Sequence, residues 1–237
     1  MILTAEDHAF IARNMDYMDV GCKAGSSTHL CQQILGGRRG FGIDINQGHI
    51  AEYSMNGGFA MHADATCTGL PDKCVDFACL SHMLEHLPSL DKVEACITEA
   101  VRLSRRFVYI VGPFFDADSY LAALNLKFFW SDWVWHPTHV TSENIIRGIK
   151  KSKGWHSAEL WGRIEIFNSN SNCILHLDEA KNQHHHDPTL HLPKPVHQFN
   201  KPLHQEISCI IAIDPDLDLP SLRKKLKLSK RLSVLQG

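Results

Sequence analysis

Alternation constrains this chain more than any other feature: over the first 112 residues, short apolar segments take turns with helical patterns. The segments are MDYMDVG, GFGIDI, FAMHADA, CVDFACLS and RFVYIVG. Among them lie SSTHLCQQIL, closed by Gly36–Gly37, a helix near QGHIAEYSMN closed by Gly57–Gly58, and LDKVEACITEAVRLS, with Val93, Ile97 and Val101 at helical spacing. CVDFACLS is apolar throughout, as befits a strand covered on both faces. Strands joined through helices by short connections require right-handed crossovers. The pattern predicts an α/β fold, a doubly wound and mostly parallel sheet with helices on both faces. At 237 residues, the chain is long enough to build this as one large domain.

Past Gly112–Pro113 the pattern changes. Residues 113–167 open with an aromatic-rich stretch, continue into the helix SENIIRGIKKSKG with Ser142 as its cap, and end in the strand candidate WHSAELWGRIEIF. A His- and Pro-rich insert, 168–205, reads as a solvated loop over the site mouth. After it EISCIIAID predicts an antiparallel strand near the C-terminus. The domain spans 1–219, and a basic tail, 220–237, closes the chain. That tail reads as a solvated end or as a basic amphipathic helix making weak membrane-surface contact.

Bulk properties exclude several classes. A net charge of −2 supplies no field for nucleic acid, and no basic groove is apparent. Eight scattered cysteines without a CxxC pair read as free thiols. The N-terminus is acidic where a secretory leader is basic, and no run approaches the ~18 apolar residues of a membrane span. A cytoplasmic protein is expected.

In open α/β sheets ligands bind beyond the C-terminal strand ends, beside the first crossover. There the chain reads MDVGCKAGSSTHL. A dinucleotide fingerprint, G-x-G-x-x-G, fits poorly, because its second glycine is Lys23 and its third is displaced. S-adenosylmethionine fits better. Its cationic end suits Asp19, its ribose diol suits Asp44, nineteen residues after Gly25, and its adenine amino group suits Asp64. Each acid ends one of three successive strand candidates.

With GFGIDI, ADA and CLSHMLEHLPSLDK in order, the run from Asp19 to Ala100 resembles the class I S-adenosylmethionine-dependent methyltransferases whose fourth strand leads into an LEHL helix. The resemblance implies a Rossmann-like methyltransferase fold with residues 1–112 as the cofactor-binding half. It assigns Asp19, Gly21 and Gly25 to the methionine portion, Asp44 with Ile45 to the ribose, Asp64–Ala65 to adenine, and Ser81 to the cofactor's flank. Lys23 stands in this set where the family has glycine. If the position needs positive φ, Lys23 is strained by about a kilocalorie.

Methyl transfer needs an aligned nucleophile, exclusion of water and sometimes a base. His136, His139 and His82 are the candidate bases, whereas His86 reads as a packing residue of the LEHL segment. These motifs require no metal. The one set with ligand spacing is His82, Glu85 and His86, zinc-like rather than magnesium-like in its donors. Phe128, Phe129, Trp130, Trp133 and Trp135 are the expected walls of the acceptor pocket. A small-molecule or glycan acceptor, methylated on oxygen, fits such a pocket. The alternative is a catalytically inactive, methyltransferase-like binding or scaffold module.

Overall fold

The computed structural model describes residues 5–237. Strand β1 (Tyr17–Val20) is buried along its whole length, which is possible because parallel neighbours flank it on both sides, β2 (Gly40–Asp44) and β4 (Val75–Ser81). Beyond β2 lies β3 (Ala60–His62), and beyond β4 lies β5 (Ser104–Pro113), both also parallel. The C-terminal half completes the sheet. Here β9 (Gln198–Ala212) runs antiparallel to β5, β7 (Ser157–Asn168) antiparallel to β9, and β10 (Lys230–Gln236) antiparallel to β7. The order is β10-β7-β9-β5-β4-β1-β2-β3. The mostly parallel, doubly wound sheet with a reversed strand near the C-terminus is therefore the architecture that forms, and β10 adds a second reversed strand at the edge.

Helices cover both faces. Val20, Ile43, Leu80 and Ile110 pack with α1 (Ala5–Asn14) through Ile11 and with α3 (Leu90–Leu103) through Val93, Ile97 and Val101. Helix α5 (Ser142–Lys151) lies on α3, where Gly148 leaves room for Ile97 and the buried carboxylate of Glu94 pairs with Arg147 and Lys151. On the opposite face Tyr17, Phe77 and Phe107 stack in series at 5.5 and 4.8 Å, joined by Leu222 and Leu226 around α6 (Leu219–Lys225). Helix α2 (Gln47–Met55) follows β2, and short α4 (Asp118–Ala122) follows β5.

Four local expectations shift. The cap of α5 is Thr141 rather than Ser142, because the Thr141 amide donates to Asn144 Oδ1 at 2.9 Å while its hydroxyl accepts from the Asn144 amide. The first crossover helix starts later, after a turn through Ser26–Ser27, and winds as a π-helix over Leu30–Ile34. Residues 168–205 are not a plain loop. They contain β8 (Ile174–His176), which pairs with β6 (Leu126–Phe128), and they begin β9. Residues 220–237 are neither a free tail nor a single amphipathic helix. They form most of α6 and all of β10, because Leu222 and Leu226 find the aromatic stack and the edge of β7 stands open for pairing. Among the described residues no helix is long and apolar enough to cross a membrane, and all eight cysteines are free.

Candidate active site

The turn after β1 is held by its glycines. Gly21 has φ +70°, and a Cβ there would stand 2.5 Å from Met83. Gly25 has φ +93° and is covered by the ring of Tyr53 at the same distance from such a Cβ. Lys23 adopts φ +47°, which costs a non-glycine residue roughly 1–2 kcal/mol. Its side chain is exposed, and its amide donates to Asp44 Oδ2 at 3.0 Å. The lysine is accommodated with its backbone strained and its charge in solvent.

Beyond these strand ends opens a cleft of about 720 Å³. Of the expected cofactor contacts, Gly21, Lys23, Asp44, Ile45, Asp64 and Ala65 line it. Asp19, Gly25 and Ser81 do not. Gly25 lies behind Tyr53, and Ser81 ends β4 with its neighbour Val111 alongside. Asp19 points into the layer under the crossover, where one of its oxygens lies within 4.8 Å of the Cys31 and Cys79 thiols. Asn46, His49, Thr66, Met83, Lys92 and Trp135 also line the cleft. For Asn46 and His49 a signal was legible, since both follow Asp44 into a helix start. Lys92 arrives from a distant segment and carried none, whereas Trp135 was among the expected walls of the acceptor pocket.

The two cleft carboxylates keep acceptor capacity. Asp44 is buried, with Oδ1 accepting from the Asn46 amide at 2.8 Å and Oδ2 facing His49 Nδ1 at 3.2 Å. Asp64 Oδ1 accepts from the Thr66 hydroxyl and amide at 2.7 and 2.8 Å, and Lys92 stands 3.7 Å from Oδ2. The Thr66 hydrogen bonds hold the Asp64 carboxyl below the usual range. Asp19 is the opposite case. Fully buried and with no hydrogen-bond partner for either oxygen, its carboxyl is pushed up to about 7 by burial, opposed by Ser27 and reinforced by the charge of Asp44.

The histidines separate into distinct environments. His82, at φ +48°, lines the cleft with Nδ1 3.7 Å from Glu85 and Nε2 3.3 Å from Glu206, which also holds Arg163 at 2.8 Å. Burial would lower His82, but the two carboxylates outweigh it and push its pKa up to about 9. It therefore stands as an imidazolium at neutral pH. His139 lies off the cleft wall, stacked on Phe115 at 4.5 Å and bound to Asp118 at 2.7 Å, which raises its pKa. His136 is buried behind the wall, its Nδ1 3.0 Å from the Trp130 carbonyl, and burial lowers its pKa. His86 does more than pack. It is exposed on the cleft wall, with Nδ1 2.6 Å from the Trp135 carbonyl.

The aromatic walls are mostly core. Phe128 and Trp130 are buried and stacked at 4.4 Å, Phe129 sits against Trp133 and His185, and Trp133 Nε1 donates to the Gln183 carbonyl. Only Trp135 of the five reaches the cleft, 75% exposed. The insert packs on this aromatic layer through Gln183 and His185, and none of its residues lines the cleft. Apolar surfaces as large as Phe128 and Trp130 are drawn into the core before they can serve a wet pocket.

The sheet order, the glycine turn and the acid-bearing strand tips define a class I methyltransferase fold. Similarity to solved structures agrees. A SAM-dependent methyltransferase from Archaeoglobus fulgidus shares 17% identity over 86% of this chain and 88% of its own, with TM-score 0.56. A SAM-dependent methyltransferase from Thermotoga maritima, described as a possible histamine N-methyltransferase, shares 11% over 87% and 89%, with TM-score 0.51. A third, from Methanosarcina mazei, shares 13% over 90% and 98%, also with TM-score 0.51. No curated protein matches the chain in sequence. Residues 18–111 match the family model described as a methyltransferase domain. Residues 18–111 thus carry the likeness to a methyltransferase domain, and the chain has the fold of the S-adenosylmethionine-dependent methyltransferases.

The residues present fit that cofactor. The cleft volume lies within the ~300–1,000 Å³ usual for small-molecule sites. Asp44 and Asp64 offer lone pairs, and Ile43, Ile45, Ala63, Ala65 and Leu87 supply apolar wall between and beside them.

Proposed function

We propose that the protein methylates an oxygen of a small hydroxylated or sugar-like acceptor, and that its cofactor lies in the 720 Å³ cleft. The observation carrying this reading is the placement of two carboxylates with spare lone pairs, Asp44 and Asp64, at successive strand tips of one cleft. Asp44 would accept from the ribose diol at the acceptor site that the Asn46 and Lys23 amides and His49 Nδ1 leave open. Asp64 would accept from the adenine amino group. Gly21, Lys23, Ile45 and Ala65 line the same space. Asp19, Gly25 and Ser81 would act from behind the wall, Gly25 by letting Tyr53 close over the turn.

When bound, S-adenosylmethionine supplies an electrophilic methyl carbon on a sulfonium. The protein's part is to orient an acceptor oxygen and exclude water. His82, His86 and Trp135 form the part of the cleft furthest from Asp44 along the chain, from β4 onward. Imidazoles beside an exposed indole face suit a hydroxyl carried on a flat or sugar-like body. His136 and His139 would support that wall from behind, through the Trp130 carbonyl and Asp118.

The test is calorimetric titration of cofactor-stripped protein with S-adenosylhomocysteine, with NAD as control and Asp44→Ala alongside. Micromolar binding that is lost in the variant and absent for NAD supports the site and justifies screening hydroxylated acceptors. A folded protein that binds neither ligand favours the inactive binding or scaffold module, with Lys23 closing the cleft.

A further inference from the structure

Three potential metal ligands converge beside the cleft, and they differ from the set the spacing suggested. Glu85, His86 and His136 each bring one ligand atom to within 4.8 Å of the other two. His82 is outside this group, drawn off toward Glu206 at 3.3 Å. His136 replaces it from a segment fifty residues away in the chain. From this geometry we propose that Glu85, His86 and His136 form a binding site for a divalent, zinc-like cation with an open coordination position toward the cleft.

The environment of each ligand fits that role. A backbone carbonyl can only accept a hydrogen bond, so the contacts of His86 Nδ1 with the Trp135 carbonyl and of His136 Nδ1 with the Trp130 carbonyl place the ring proton on Nδ1 in both residues. Nε2 of each then carries the lone pair. A ligating histidine commonly has this second hydrogen bond, which fixes both tautomer and ring orientation. The two imidazoles are already set edge to face, with centroids 5.1 Å apart. Glu85 is 2% exposed, and its carboxylate has no closer basic neighbour than His82 at 3.7 Å. Ligand atoms on one zinc-like ion stand roughly 3.3 Å apart, so each must move inward by less than about an ångström.

Two histidines and one carboxylate make a three-ligand set, and sites of that composition keep a further position open. Glu85 and His136 are buried, whereas His86 is exposed and lines the cleft, so the open side is the side of His86 and Trp135. The class of ligand taken there is a hard or borderline oxygen donor, a hydroxyl or carboxylate. That last assignment rests on the methyl-transfer reading, but cation binding itself does not.

The experiment uses the full chain after chelator treatment. Zn²⁺ is titrated calorimetrically and Co²⁺ by visible absorption, with circular dichroism as a check on folding. One tight equivalent is expected, with a Co²⁺ spectrum of low coordination number. It should weaken at least tenfold in His86→Asn, an exposed position that leaves packing intact, and likewise in Glu85→Gln and His136→Gln. A variant replacing His184, His185 and His186 by Asn should keep it. Failure of the wild type to bind either ion overturns the proposal. So does binding that survives His86→Asn but disappears with the insert histidines. S-adenosylhomocysteine titration of the metal-free wild type separates the two readings. Metal and cofactor each bound by the wild type supports both, and metal bound by a protein that takes no cofactor supports the cation site while the methyl-transfer reading fails.

Discussion

The amide of Lys23 donates to Oδ2 of Asp44 at 3.0 Å, tying the turn after the first strand to the tip of the second. Lys23 makes that bond from a left-handed backbone, φ +47°, and brings its side chain to the cleft rim.

Lys23→Gly relieves strain in the native state but frees the unfolded chain, two effects of about 1 kcal/mol that oppose each other. Thermal unfolding should therefore shift by no more than a few degrees. Affinity for S-adenosylmethionine should rise two- to fivefold, while that for uncharged-sulfur S-adenosylhomocysteine changes less, because both carry the α-ammonium and only the former adds a sulfonium charge. Equal changes for the two ligands, measured by calorimetry, would remove the charge argument.

Asp19 makes stability depend on pH. Its folded carboxyl, near 7, lies above the ordinary aspartate value, so between about 4 and 7 the folded state holds a proton that the unfolded state has lost. The stabilisation is complete below the unfolded value and is lost as pH rises through the folded one. Denaturant unfolding should show stability falling across that window by on the order of a few kcal/mol. Asp19→Asn should flatten the profile. A slope unchanged in the variant would mean that another group carries it.

Glu94 behaves in the opposite sense. Lys151, then Arg147, hold its carboxyl below the usual glutamate range, so the stability it contributes is present above the unfolded value and is lost as pH falls through the folded one. Glu94→Gln should cost about 1–3 kcal/mol at pH 7, the buried acid being joined to two half-exposed bases. The loss should shrink toward pH 3. A constant loss across that range would point to packing rather than charge.

Truncation after Leu228 removes β10 and bares the edge of β7. Exposed, hydrogen-bond-hungry edges favour association. The shortened protein should melt lower and aggregate on heating, whereas a merely solvated tail could be removed without effect. Scanning calorimetry with light scattering distinguishes these outcomes.

Features written in local periods were legible in the order of the amino acids alone. Apolar runs such as CVDFACLS dictated buried parallel strands, the spacing of Val93, Ile97 and Val101 dictated a helix face, and the order of Asp19, Asp44 and Asp64 placed acids at successive strand tips. Tertiary structure alone decided which groups meet. It turned Asp19 under the crossover toward Cys31 and Cys79, and drew Phe128 and Trp130 into the core while leaving Trp135 at the cleft. It also brought His136 to Glu85 and His86 while giving His82 to Glu206, and made the basic tail an edge strand. The physical reason is that burial and pairing depend on what arrives from distant parts of the chain. A strand's period is carried by neighbouring residues, but the competition between partners for one carboxylate or one open edge is settled only when the whole chain has packed.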